Sequence, residues 1–266
     1  MKKMELTRRA FLAATTTTAA AAAFAQNTAE VVPGKVSPNE KLRIAGVGVG
    51  GMGKGDIFSF TNDKTKALCD VVGVCDVDAD SAGEAFYKLS GAKQYKDYRK
   101  MLEEMANDID GVVISTPDHT HAPAAYMAMK LGKAVRVQKP LTHTIAEARF
   151  LQKVAKETGV VTAMGNQGHA GNGVRDLCEM VWAGAVGDIR EAHIWTNRPI
   201  WPQGIDHLMR EMDVPATLDW DLWQGTALPE RPYNKAYCPF RWRGWWSYGC
   251  GAIGDLACHI MDPAFW

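Results

Sequence analysis

The chain has no excess charge of either sign. Its 266 residues carry 30 Lys and Arg against 30 Asp and Glu. Nucleic acids and anionic membrane surfaces are held by a basic face, so neither is expected as a partner. No segment beyond residue 25 is apolar enough to cross a bilayer, so membrane insertion is not predicted. The six cysteines, Cys69, Cys75, Cys178, Cys238, Cys250 and Cys258, form no CxxC pair. Metal chemistry also lacks support. His119 and His121 are close in sequence, but no carboxylate or cysteine cluster completes a site, and no metal is expected. No internal repeat is present, and low complexity is confined to an Ala/Thr tract near the start.

That tract has a recognisable setting. "MKKMELTRRAFLAATTTTAAAAAFAQ" combines a basic start, the pair Arg8 and Arg9, a weakly apolar run and a small-x-small site at Ala23-Phe24-Ala25. Residues 1–25 read as a twin-arginine export signal. Residues 26–40, with Pro33, Gly34 and Pro38, read as a linker. The expected localisation is periplasmic or secreted, with the twin-arginine (Tat) export machinery as a partner. That route carries proteins already folded in a reducing compartment, so disulfides need not form.

From residue 41 onward, five β-type runs alternate with helical stretches. The runs lie in Lys41–Phe58, Asp70–Asp78, Gly111–Pro117, Lys133–Pro140 and Gly159–Asn166. Their continuous Val/Ile character suits strands covered on both faces. Helices are predicted over Asp80–Leu89, Asp97–Met105, His121–Leu131 and Thr144–Thr158, two of them stopped by Gly132 and Gly159. The prediction is an α/β chain with a doubly wound parallel sheet over 41–165. After Gly187 the pattern changes. Ile189–Asn197 alternates like a strand of another sheet, and seven of the nine tryptophans fall between Trp195 and Trp246. A helix is expected at "GAIGDLACHIMD". Residues 166–266 are expected to be an α+β substrate domain with an open mixed sheet, C-terminally incomplete.

Gly48-x-Gly50-x-x-Gly53 follows the first strand and opens a helix, with Gly51 and Met52 inside the turn. Such a turn lets a pyrophosphate approach the backbone at a helix N-terminus. Asp76 ends the second strand 23 residues after Gly53. An acid there accepts ribose hydroxyls and repels a 2′-phosphate. This is the pattern of a Rossmann dinucleotide site, with NAD favoured over NADP. Ser115, Thr116, Pro117 and His121 lie at the end of the third predicted strand, where ligands bind in such folds. Asp118 there suits a helix cap.

Lys139 closes the fourth strand at the same edge. A lysine facing a cofactor crevice can hold a substrate hydroxyl and stabilise charge on oxygen as hydride leaves. Asp255 and His259, four apart on a predicted helix, share one face. The carboxylate can orient the imidazole, whose ordinary pKa of about 6.5 suits removal of an alcohol proton. The stretch Arg241–Gly249 fits a carbohydrate equally well as it fits core packing or a subunit interface: aromatic faces can cover a sugar, and Arg241 or Arg243 can bond hydroxyls or an acidic group.

Taken together, "GVGVGGMG", "VCDVD", "STPDHTH", "QKPLTHTIAEAR", "GNQGHA" and "WWSYGCGAIGDLACHIMD" resemble the Gfo/Idh/MocA oxidoreductase family, in its secreted bacterial branch. The resemblance covers 41–266. It implies an NAD(P)-dependent enzyme moving hydride between a nicotinamide and a sugar or polyol hydroxyl. Catalytic roles fall on Lys139, Asp255 and His259. Gly48, Gly50, Gly51, Met52, Gly53, Asp76, Ser115, Thr116, Pro117, His121, Gln138, Lys139 and Asn166 are implied for the cofactor. His169, Arg243, Trp245 and His259 are implied for the substrate. Gln138 stands where the family usually has glutamate, leaving an amide able to bond the nicotinamide carboxamide. Two alternatives remain: an NAD-dependent glycosidase working by transient oxidation, and a non-catalytic NAD-containing sugar-binding protein. Export in folded form further suggests a tightly held NAD. A homo-oligomer is compatible with the family's open sheet.

Overall fold

The computed structural model describes residues 40–266 except 202, 203, 206 and 208. The predicted export signal and nearly all of the predicted linker lie outside the described residues. Six strands form one parallel sheet: β1 (Leu42–Val47), β2 (Cys69–Cys75), β3 (Lys93–Tyr95), β4 (Gly111–Ile114), β5 (Ala134–Gln138) and β6 (Thr162–Gly165). Their order is β3-β2-β1-β4-β5-β6. The order reverses between β1 and β4, which opens a crevice at their carboxyl ends.

The helices of this domain are α1 (Gly51–Phe58), α2 (Gly83–Lys88), α3 (Tyr98–Glu104), α4 (His121–Lys130) and α5 (Ile145–Thr158). Successive strand residues face opposite layers, and both layers are apolar. Ala45, Val47, Val112, Ile114, Val135 and Val137 pack with Met101, Leu102, Met129, Leu151 and Val154. On the other face Ile44, Val74 and Val113 pack with Ile57 and Ala85. Burying each large side chain contributes about 1.5–3 kcal/mol, so the unbroken Val/Ile runs are what a sheet between two layers requires. Helix α5 shows local encoding as well. Thr144 and Glu147 form a reciprocal capping box, and Gly159 ends the helix at φ +67°.

The region after β6 contains α6 (Asn172–Trp182), α7 (Trp220–Gln224), α8 (Gly251–Ile260) and α9 (Asp262–Phe265). Its own core is aromatic. Trp223, Tyr233, Tyr237, Trp242 and Tyr248 are buried together, and Trp220 stacks on Trp223 at 4.8 Å. The strand expected at Ile189–Asn197 is not formed. Those residues are exposed and irregular, and no sheet strand follows β6 among the described residues. Alternation sets which face a strand would bury, but a ladder needs a neighbour to pair with, and among the described residues no strand pairs with this segment.

Backbone bonds fasten the second region to the carboxyl edge of the sheet. Ala79 N donates to Thr217 O at 3.0 Å and Asp219 N to Val77 O at 2.9 Å. His119 is the buried rivet. Its Nε2 lies 3.0 Å from Trp223 O and its Nδ1 3.3 Å from Tyr248 O, with the ring packed against both aromatics. Burial pulls its pKa down to about 4, against weaker support for the charged form from those two carbonyls.

The unfolded chain takes up a proton at His119 below pH ~6.5, while the folded chain does not until about pH 4. Stability should therefore fall as pH drops through that window, by on the order of 3 kcal/mol from this group, and its contribution should change little further below it. Urea unfolding of the wild type and His119→Gln at several pH values checks this. The variant should lose much of the slope between pH ~6.5 and ~4; equal slopes would contradict it.

Candidate active site

The glycine turn is shaped by lack of room. Gly48 has φ +76°, and a Cβ there would sit 2.8 Å from Thr116 N. A Cβ on Gly53 would sit 1.7 Å from Gly48 O. The turn thus closes tightly between β1 and α1, with Gly50, Gly51 and Met52 at the mouth; Met52 is exposed. Asp76, at the end of β2, accepts from Gly50 N at 2.9 Å and Asp78 N at 3.0 Å. Burial raises its pKa, and those two N–H bonds only partly offset the rise.

Beneath the turn lies a carboxylate that the sequence reading missed. Asp56, on α1 and 7% exposed, accepts from Ser115 Oγ at 2.7 Å and Gln138 Nε2 at 2.8 Å. Its other oxygen lies 3.1 Å from Arg136 Nη1. One acid therefore ties α1 to the ends of β4 and β5. A single Asp in an ordinary helix gives no sequence signal of this role. The finding also corrects the reading of Gln138. It is buried, with Nε2 on Asp56 and Oε1 accepting from Lys139 N at 2.9 Å. Both ends of its amide are used within the protein rather than presented to a carboxamide.

Lys139 leaves β5 toward the second region. Its Nζ donates to Asp255 O at 2.8 Å and to Asp255 Oδ1 at 2.9 Å. Arg243 Nε donates to the same Oδ1 at 3.0 Å, and Arg198 Nη1 stands 3.9 Å from Oδ2. Burial raises the pKa of Asp255, but Lys139 and Arg243 more than offset it, and the carboxyl ends below its usual range. His259 lies one turn further along α8. Its Nδ1 is 3.1 Å from Gln167 O. A carbonyl can only accept, so Nδ1 carries the hydrogen and the Nε2 lone pair remains available. The predicted Asp255–His259 partnership is thus corrected. The two share a helix, but the carboxylate serves the cations and Gln167 O orients the imidazole. Arg198 and Gln167 were not foreseen: Arg198 sits in no motif, and Gln167, inside "GNQGHA", acts through its main-chain oxygen, which side-chain identity does not signal.

Other predicted residues are placed differently. His121 is 1% exposed, with Nδ1 2.8 Å from Pro140 O and Nε2 2.8 Å from Thr116 O. It clamps the end of β4 to the turn after Lys139 instead of facing a cofactor. Pro117 precedes the short helical turn Asp118–Thr120. Asp118 caps a helix, as expected, but a distant one: its Oδ2 accepts from Cys250 N, the residue before α8, at 3.0 Å. Trp245 packs edge-on against Tyr237 and donates Nε1 to Ala236 O at 2.9 Å. This is core packing rather than a sugar platform. His169 pairs with Asp262 at 2.7 Å and meets Trp266 edge-on. A separate groove of about 480 Å³ runs across α4, α5 and β6. Its lining is mostly apolar, with no carboxylate, imidazole or lysine, so it lacks the groups for acid–base chemistry.

The crevice fits a dinucleotide. Thr116 Oγ1 and Asn166 Oδ1 are buried without hydrogen-bond partners, and they follow β4 and β6 at the edge the glycine turn occupies. Buried polar atoms are rarely left unpaired, and a polar ligand along this edge would supply partners. The glycine turn leaves its backbone open to close approach, and Asp76 stands where a ribose would lie.

Comparison with known proteins agrees. Residues 42–166 match "Oxidoreductase family, NAD-binding Rossmann fold" and residues 185–266 match "Oxidoreductase family, C-terminal alpha/beta domain". Inositol 2-dehydrogenase 3 of Saccharopolyspora erythraea is 27% identical over 67% of this chain and 53% of that protein. A glycosyl hydrolase family 109 protein of Shewanella pealeana is 28% identical over 70% of this chain and 45% of that one. GenD2 of gentamicin A biosynthesis, solved in complex with NAD, superposes with a TM-score of 0.50 at 28% identity, covering 59% of this chain and 43% of that one. The chain spans about half the length of the curated relatives it matches. The two matched regions belong to one family and flank the crevice from either side, and on that basis the chain belongs to the Gfo/Idh/MocA oxidoreductase family.

Proposed function

We propose that the chain is an NAD-dependent oxidoreductase acting on a sugar or polyol hydroxyl. The observation that carries this reading is the bond from Lys139 Nζ to Asp255, one helical turn before His259, at the sheet edge beside the glycine turn. A bound nicotinamide supplies the hydride acceptor. The protein's part is alignment and proton handling. An ammonium has three hydrogens. Two from Lys139 go to Asp255, and the third serves a substrate oxygen, steadying charge as the carbinol becomes a carbonyl. His259 Nε2 takes the hydroxyl proton, with Nδ1 held by Gln167 O. Asp255 positions Lys139 rather than the imidazole.

Gly48, Gly50 and Gly53 would cradle the pyrophosphate, Asp76 the ribose, and Thr116 and Asn166 polar groups along the edge. The charge of Asp76 favours NAD over NADP. The relatives support the choice of substrate class: one is an inositol dehydrogenase. The likeness to a glycosyl hydrolase family 109 protein keeps a second reading, in which the same hydride step is transient and a glycosidic bond is cleaved. The export signal read in residues 1–25 leads to a further proposal. A protein carried out folded takes its NAD with it, and that NAD has to stay bound.

The test is turnover of the full chain with sugars and glycosides, following reduced-nicotinamide absorbance and released products by mass spectrometry. A dehydrogenase yields reduced cofactor with oxidised sugar. Free sugar released from a glycoside without net reduction identifies the glycosidase. Lys139→Met should lower kcat by about 10²-fold or more while NAD binding persists; unchanged turnover would sink the assigned role. Protein purified without added nucleotide should release NAD, not NADP, on denaturation. Repeated absence of either dinucleotide would count against tight binding.

A further inference from the structure

We propose that the substrate carries an anionic group, a carboxylate or a phosphate, received by Arg198 and Arg243 beside Lys139. This rests on the oxidoreductase reading for the place of the reacting carbon, and it adds the class of molecule.

Lys139, Arg198 and Arg243 all converge on one carboxylate, Asp255. Their side chains are 13%, 29% and 19% exposed, and that of Asp255 10%. One negative charge thus faces three positive ones where water screens poorly. Asp118 also lies within the field of Arg243, with its Oδ2 accepting from Cys250 N; counting it, three positive charges face two negative ones. Among the described residues, then, the cluster keeps a positive surplus.

The two guanidiniums are also held rigidly. Arg243 lies 4.2 Å from the Trp242 ring and 4.6 Å from that of Phe240; Arg198 lies 5.8 Å from Phe240 and 5.6 Å from Trp201. Phe240 is shared between them. Aromatic faces hold a cation without neutralising it, so the like charges are kept close. Arg243 uses Nε on Asp255 and Nη1 on Phe240 O, leaving the Nη2 edge for a ligand. Nearby, Trp201 is 3% exposed, and its buried indole N–H has no partner. That is a further donor without an acceptor in the same cluster. Sugar hydroxyls need donors and acceptors in balance and no net charge. Two pre-oriented guanidiniums and an orphaned N–H match the planar oxygens of a carboxylate or the tetrahedral oxygens of a phosphate.

The experiment is calorimetric titration of the NAD-loaded full chain with glucuronate, galacturonate and glucose-6-phosphate, each against its neutral parent sugar, at low and high salt. Turnover is measured in parallel. At least one acid should bind about tenfold or more tightly than its parent, a preference that shrinks as salt rises. The carboxylate and phosphate arms tell the two sources apart. Arg198→Met should bring the ratio toward one, and Arg198→Lys should keep part of it. Should a variant fold poorly, the wild-type ratio and its salt dependence decide alone. Parent sugars binding as well as every acid, or no acid binding at all, overturn the proposal. Acid binding without hydride transfer would preserve it and remove the oxidoreductase reading. Equal turnover of neutral parents would do the reverse.

Discussion

The ion pair between Lys139 and Asp255 joins the two halves of the site, and most of the active geometry depends on it. Both side chains are largely buried. Two charges withdrawn from water recover their desolvation cost only through good geometry. Here Nζ meets both the carboxylate and the main-chain carbonyl of the same residue, and Arg243 adds a third donor. Removing the Asp255 carboxylate would strand the Lys139 charge, at roughly 3–5 kcal/mol, whereas Asp255 without Lys139 keeps Arg243. Helix α8 is therefore pinned to the turn after β5. Asp118, holding Cys250 N, pins the same helix at its first turn. With both ends of that span fixed, the place of His259 follows from helical geometry alone.

The layer beneath explains a departure from the family pattern. Residue 138 is glutamine where the family usually has glutamate, and its side chain lies 2.8 Å from Asp56 Oδ2. A glutamate at that distance would set two carboxylates against each other, forcing one to take up a proton. An amide donates instead. It also turns its oxygen to Lys139 N, so the strand end carrying the lysine is held from below. Arg136 balances the remaining charge of Asp56. Gln138 is thus the residue that the acid on α1 demands, and its exchange is structural before it is electronic.

The parallel sheet was legible because burial on both faces leaves continuous apolar runs. Four helices fell where spacing and caps put them. Strand β3 escaped notice because Lys93–Tyr95 has three residues at the edge, two of them exposed, too few to show alternation. The region after β6 was read less well. Its order comes from an aromatic cluster and from bonds to the sheet edge, and neither leaves a periodic trace. Motifs located the glycine turn, Lys139 and α8, since each is a local pattern with a chemical reason. Asp56, Arg198 and Gln167 act through contacts across 82, 57 and 92 residues respectively, and no local pattern encodes such partners.

The spacing of Asp255 and His259 shows where local reasoning stops. Four residues apart on a helix places two side chains on one face, but a shared face is not a bond. Asp255 can reach an imidazole or the cations of Lys139 and Arg243, and charge-assisted hydrogen bonds are the stronger choice. Asp255 Oδ1 is occupied by both cations, and the imidazole instead takes the Gln167 carbonyl in the connection after β6 as its acceptor. The two roles then separate physically. The carboxylate governs where the lysine donates, and a main-chain oxygen governs which imidazole nitrogen accepts. A change at Asp255 would therefore disturb Lys139 first and His259 only through movement of α8.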